Sequence, residues 1–182
     1  MKRVSLVCLV AVLASASPSF AQSRVPDSQM MAVGIDAGVL FPGDQLEPGP
    51  VVAGLWEYYF SPRAGVRTTF GWANPSFENR EDEDTQRQFK LALDLLYNWE
   101  YGKMHPFVSG GAGVWFLQEK DNGENFGDSE NKPGLTVGAG IDYFVTRTAT
   151  VKFEGRYDWV AVDDGRPDPS GISLTVGVKK FF

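Results

Sequence analysis

Beyond Met30 the chain alternates apolar and polar positions with period two, run after run, and never settles into a helical period. Eight runs are predicted as strands: Met31 to Phe41, Val51 to Phe60, Gly65 to Trp72, Gln88 to Trp99, Phe107 to Phe116, Gly134 to Val145, Thr150 to Val160 and Ile172 to Phe182. Proline is absent from all eight. Gly-Pro, Asn-Pro, Ser-Pro or acidic clusters lie between them, which is turn chemistry.

One parity of these runs is apolar throughout. It reads Val33-Ile35-Ala37-Val39 in the first run, Phe89-Leu91-Leu93-Leu95-Tyr97-Trp99 in the fourth and Ile172-Leu174-Val176-Val178-Lys180-Phe182 in the last. Lys180 is its one charge. The opposite parity holds eleven: Asp36, Glu57, Arg67, Lys90, Asp94, Asp142, Lys152, Glu154, Arg156, Asp158 and Lys179, set among Gly, Ser and Thr. A soluble sandwich or lipocalin-like carrier would also alternate, so the width of the interior decides which face points in. Eight strands enclose a space that side chains alone fill. Trp56, Trp72, Trp99 and Trp159 with Phe60, Phe70, Phe89, Phe116 and Phe153 crowd the apolar face, whereas Gly34, Gly38, Gly111, Gly113, Gly138, Gly140 and Gly177 mark the other. The small, polar face is therefore expected inside and the aromatic face in lipid.

Connections alternate in length as well. Ser61 to Arg63, Glu100 to His105 and Thr146 to Thr148 are short; Pro42 to Gly49, Asn74 to Arg87, Glu119 to Pro133 and Asp163 to Ser170 are longer and acidic. Short turns at one end and long loops at the other are the pattern of a membrane barrel, with the long loops outward. In that orientation the aromatics form two belts. Tyr58, Phe60, Tyr97, Trp99, Tyr143 and Phe182 lie at the turn end, and Phe41, Trp72, Phe116 and Trp159 at the loop end.

The chain has 182 residues, with a mean hydropathy of −0.20. Lys2-Arg3, the apolar SLVCLVAVLA and Ser19-Phe20-Ala21 predict a secretory leader over residues 1–21 and a lead over 22–29. That leaves 182 − 21 = 161 residues, enough for one barrel over 30–182. No apolar run past the leader reaches the roughly 18 residues of a spanning helix. The one cysteine, Cys8, lies in the leader, so neither a disulfide nor a thiol site is expected beyond it. A net charge of −6, or −8 without Lys2 and Arg3, argues against a nucleic-acid partner.

Chemistry is sparse. His105, the only histidine, is expected in a solvated turn with no serine within three residues, which disfavours a lipid-modifying enzyme and any zinc site. Glu81-Asp82-Glu83-Asp84 and the cluster Asp121, Glu124, Asp128, Glu130 lack calcium-loop spacing, although divalent cations shared with lipopolysaccharide phosphates would suit them. Ser109 to Val114 lacks the Lys-Ser/Thr of a phosphate loop, and Gly54-Leu55-Trp56 stands in the wrong strand for a lipocalin signature. No cofactor is expected. The eleven interior charges nearly balance, which predicts a paired plug; the alternative is a narrow porin whose pairs exchange to pass small ions.

Three stretches carry a family resemblance: WEYYFSPRAGVRTTFGW, LALDLLYNWEYGKMHPFVSGGAGVWF and the ending ISLTVGVKKFF. They resemble the small outer-membrane β-barrel family, the eight-stranded OmpA/OmpX/opacity-type porin-like proteins. The resemblance implies an all-β, eight-stranded antiparallel up-and-down barrel in the bacterial outer membrane, structural or surface-interacting rather than enzymatic. It also implies that Leu174, Val176, Val178 and Phe182 form a terminal signal read by the barrel assembly machinery. Lys180 departs from that signal, since the family often has an aromatic there.

Overall fold

The computed structural model describes residues 26–43, 46–76, 85–121, 124–125, 130–162 and 168–182. The leader, Glu81–Asp84 and Asp128 lie outside the described residues. The elements are β1 (Met31–Pro42), β2 (Gly49–Tyr59), β3 (Ala64–Ala73), β4 (Thr85–Asn98), β5 (Met104–Asp121), the two-residue β6 (Glu124–Asn125), β7 (Glu130–Phe144), β8 (Ala149–Val160) and β9 (Gly171–Phe181). Each long strand pairs antiparallel with its neighbours in sequence, and β9 returns to β1. The result is a closed barrel of eight strands, with β6 a short ribbon on the outer end of β5.

The register fixes its shape. Starting at Met31 and crossing one partner at a time, the path runs through Tyr58, Val66, Leu95, Gly110, Val137, Tyr157 and Ile172, and returns to β1 at Phe41. The stagger is therefore 41 − 31 = 10 residues per circuit. With eight strands it tilts each strand about 40° from the barrel axis and leaves a lumen only as wide as its own side chains.

Burial is inverted relative to a soluble protein. The apolar parity is on the outside, with Phe70 60%, Leu93 59% and Leu95 66% exposed, while Glu57 and Lys152 are fully buried. A sandwich or lipocalin would place these faces the other way round. Outer rings pair within the turn-end belt, Trp56 stacking on Tyr58 at 6.5 Å and Tyr97 meeting Trp99 edge-on at 5.0 Å.

Strand limits differ from the pattern mostly at the loop end. β5 extends to Asp121 and β7 starts at Glu130, so described parts of the expected loop Glu119 to Pro133 are hairpin, closed by the β5–β6 pair Asp121↔Glu124. The alternation then disappears while the backbone ladder continues. Proline also enters strands, at Pro42, Pro50, Pro106 and Pro133. The Pro106 carbonyl accepts from Trp99 N at 2.9 Å and the Pro133 carbonyl from Ala161 N at 3.0 Å, so the ladder uses the acceptor that proline retains.

Two inner glycines are required by close approach. A Cβ on Gly140 would stand 2.6 Å from Phe107 Cζ, and one on Gly134 2.7 Å from Trp115 Cζ3. Each inward ring comes close to the bare backbone of β7. A β8 carbonyl is closer still in each case, Phe153 O and Trp159 O at 2.3 Å, so Gly140→Ala is expected to shift Phe107 and the β7–β8 ladder and cost about 1–3 kcal/mol, read from urea unfolding of the barrel in lipid vesicles.

Candidate functional site

The site is the lumen. All eleven charges of the polar parity face it, supplied by seven of the eight long strands: β1 (Asp36), β2 (Glu57), β3 (Arg67), β4 (Lys90, Asp94), β7 (Asp142), β8 (Lys152, Glu154, Arg156, Asp158) and β9 (Lys179). Nine of them form one network. Glu154 is a hub, contacted by Arg67 Nη1 at 2.8 Å, Lys152 Nζ at 2.5 Å and Arg156 Nη2 at 3.2 Å. Lys152 also reaches Asp36. Arg156 Nη2 lies 2.9 Å from Asp94 Oδ2, an ion-pair contact at an angle too poor for a hydrogen bond. Arg67 continues to Glu57 at 2.8 Å, and Lys179 joins Glu57 at 3.0 Å to Asp142 at 2.5 Å. Lys90 and Asp158 pair separately at 2.5 Å, nearer the loop end.

β5 contributes no charge to this region and acts as its wall. Arg67 lies 4.9 Å over the Phe107 ring, with Lys179 5.5 Å from the same ring and Lys90 5.9 Å from Trp115. Such contacts stabilise desolvated cations without adding a carboxylate. Glycines of β5 and β7 make room for the acids: a Cβ on Gly111 would meet Asp94 Oδ1 at 2.7 Å, and one on Gly138 would meet Glu154 Oε1 at 2.9 Å.

Apolar layers close the network at both ends. At the turn end Ala32, Tyr59, Leu96, Phe107, Phe144 and Phe181 form a buried cluster backed by Met30, with Tyr59 and Phe144 rings 5.9 and 5.4 Å from Phe181. Tyr59 also ties this layer to the charges, donating its hydroxyl to Glu57 Oε2 at 2.8 Å. Toward the loops lie two smaller clusters, Leu40–Val51–Ala73 and Trp115–Leu117–Val160.

Sequence reasoning missed these layers because it assigned the polar parity to small and charged residues alone. The signal was present. Tyr58-Tyr59-Phe60, Tyr143-Phe144 and Phe181-Phe182 place aromatics side by side on a strand, where neighbours must point to opposite faces.

The expectation of a solvated His105 is corrected. His105 is the second residue of β5 and faces inward, 6% exposed, its ring 4.6 Å from Phe144 and its Nε2 3.3 Å from the Gly102 carbonyl. The tight turn closes earlier, through Tyr101 N to Met104 O at 2.9 Å, and so leaves His105 on the strand. Among the described residues no cluster of His, Cys, Asp or Glu suits a metal ion. The lumen carboxylates are interleaved with cations instead.

On the outer surface Leu174 and Val176 are more than half exposed, Val178 is half-buried, and Phe182 is 67% exposed at the turn end. Phe182 N donates to Met31 O at 2.8 Å, so the terminal residue joins the seam that closes the barrel. Lys180 is half-buried on the same face, opposite Val33 and Ala149.

A closed barrel with an apolar aromatic exterior and a charged, filled interior is an integral membrane barrel, since only lipid covers such an outside at no cost. The chain belongs to the Outer membrane protein beta-barrel domain family, whose profile matches residues 6–179. It is similar to a 22 kDa outer membrane protein of Rhizobium leguminosarum bv. viciae, at 27% identity with 70% of this chain and 79% of that protein covered. Its fold is similar to Neisserial surface protein A (TM-score 0.67, 13% identity, covering 84% of this chain and 97% of that one). It is also similar to OprG from Pseudomonas aeruginosa (0.65, 12%, covering 86% and 97%). The protein is a bacterial outer-membrane barrel.

Arg156 tests the network. Arg156→Ala strips Asp94 of its ion-pair contact and Glu154 of one cation, and leaving a buried charge unpaired costs about 3–5 kcal/mol, less where water reaches it. The urea midpoint should fall; a lipid-facing arginine would give a rise.

Proposed function

We propose that this protein is a non-catalytic outer-membrane barrel whose lumen is plugged by paired charges. In this reading it serves the membrane as a structural and surface-interacting element. One observation carries the reading: nine linked charges span the lumen between apolar layers at both ends. A hydrated path for ions would have to cross aromatic clusters as well as displace paired charges, and eight strands leave no spare width. His105 supports the absence of catalysis, since it packs on a phenylalanine inside the barrel rather than beside a serine on the lipid-facing rim.

In this reading the short turns, with Arg63, Lys103 and Arg147, face the periplasm and the long acidic connections face outward, toward lipopolysaccharide and its divalent cations. Leu174, Val176, Val178 and Phe182 are the segment offered to the assembly machinery. Their support is an exposed, alternating row that ends on the closing seam.

The purified barrel in planar bilayers at neutral pH is expected to show no single-channel steps. Steady, resolved conductance would assign it to the narrow porins instead. Deleting Phe182 is expected to reduce the heat-modifiable, folded fraction in the membrane several-fold; unchanged insertion would show that the signal lies elsewhere.

A further inference from the structure

The proposed plug leaves His105 without a role, although it is the only histidine in the chain and its environment is specific. Its ring packs against the turn-end seal, tilted on Phe144, which in turn is tilted on Phe181. Nε2 lies against the Gly102 carbonyl, which leaves Nδ1 buried without a partner. Directly across the ladder is Asp142, its register partner on β7. Asp142 Oδ2 accepts from Lys179 Nζ, and the buried Oδ1 has no partner. Two unpartnered atoms therefore sit on one rung, both of them acceptors while the imidazole is neutral and complementary only once Nδ1 carries a proton. The charged groups around the ring are Glu100 of its own turn, Asp142 on β7 and Lys179 on β9, with Glu57 and Tyr59 on β2 behind Lys179.

Charge counting adds a second reason. The linked network has five carboxylates (Asp36, Glu57, Asp94, Asp142, Glu154) and four cations (Arg67, Lys152, Arg156, Lys179), so it carries one surplus negative charge. His105 stands at its turn end, the one group there able to gain a positive charge between pH 8 and 5.

We propose that His105 is a proton-operated latch on the turn-end seal, packed against Phe144 when neutral and drawn to Asp142 when protonated. An imidazolium donates from both nitrogens, and its register partner Asp142 keeps an unpartnered acceptor, Oδ1. Reaching it takes the ring off Phe144. Asp142 then divides its charge between two cations and loosens its hold on Lys179, whose other partner, Glu57, anchors the Tyr59 hydroxyl of the same seal. Acid thus unfastens the aromatic layer from both sides. This rests on the reading of the lumen as closed.

The test uses the barrel in lipid nanodiscs. As pH falls from 8 to 5, the single imidazole signal in NMR is expected to titrate with the same midpoint as the ring signals of Phe144 and Phe181. In His105→Gln and His105→Phe those ring signals should stay in place. The urea midpoint of the native chain should drop by roughly 0.5 M over that range, and less in either variant, which separates His105 from the carboxylates that also titrate. An imidazole that titrates while the rings stay still, or the same pH dependence with and without His105, overturns the latch. Channel steps at pH 7 would refute the closed lumen alone, because the ring titration is read independently of conductance.

Discussion

The pairing of β9 with β1 sets every other dimension of this molecule. It closes the ladder after a stagger of ten residues, and that number with eight strands determines tilt, circumference and the width of the lumen. A lumen so narrow has no room for a separate hydration shell on each ionised group. Eleven charges inside it are therefore compatible with folding only as mutual partners, and the cross-barrel contact Arg67–Glu154 and the Lys152–Asp36 contact past β9 are what that compression produces.

The same width explains the division of labour among strands. β8 carries four of the charges, while β5 and β7 present glycine where opposing side chains arrive. Large side chains on all eight inner faces would collide at the axis. Bare backbone on one wall makes room for Phe107 and Trp115, and those rings then shelter Arg67, Lys179 and Lys90. Crowding outside and sparseness inside are two sides of one steric limit.

Period-two alternation makes the barrel class legible, because a strand with one face in lipid and one in a polar lumen has no other way to be written. Which charges meet was not legible. Glu57 faces Arg67 across one ladder, but Arg67 reaches Glu154 only because the stagger brings β8 level with it. His105 was misplaced by its proline neighbour, which reads as a turn although Pro106 continues the strand through its carbonyl. Tyr59, Trp115, Phe144 and Phe181 escaped notice because each stands beside an outer aromatic, and a pattern judged by the greasier parity credits both to the same face; Phe107, between Pro106 and Val108, opens its run and was counted with neither face.

Glu154 has a consequence for how the chain reaches its final form. Its hydrogen-bonded partners include Arg67, 87 positions earlier in the chain, and the lysine beside it, Lys152, reaches back 116 positions to Asp36. No hairpin of neighbouring strands can satisfy these groups, so a partly assembled sheet exposes charge along the surface that will become the lumen. A slip of one residue in β8 would turn Lys152, Glu154, Arg156 and Asp158 together into hydrocarbon. The network thus works as a proofreading device: it penalises incomplete and misregistered sheets and is relieved only when the last strand meets the first.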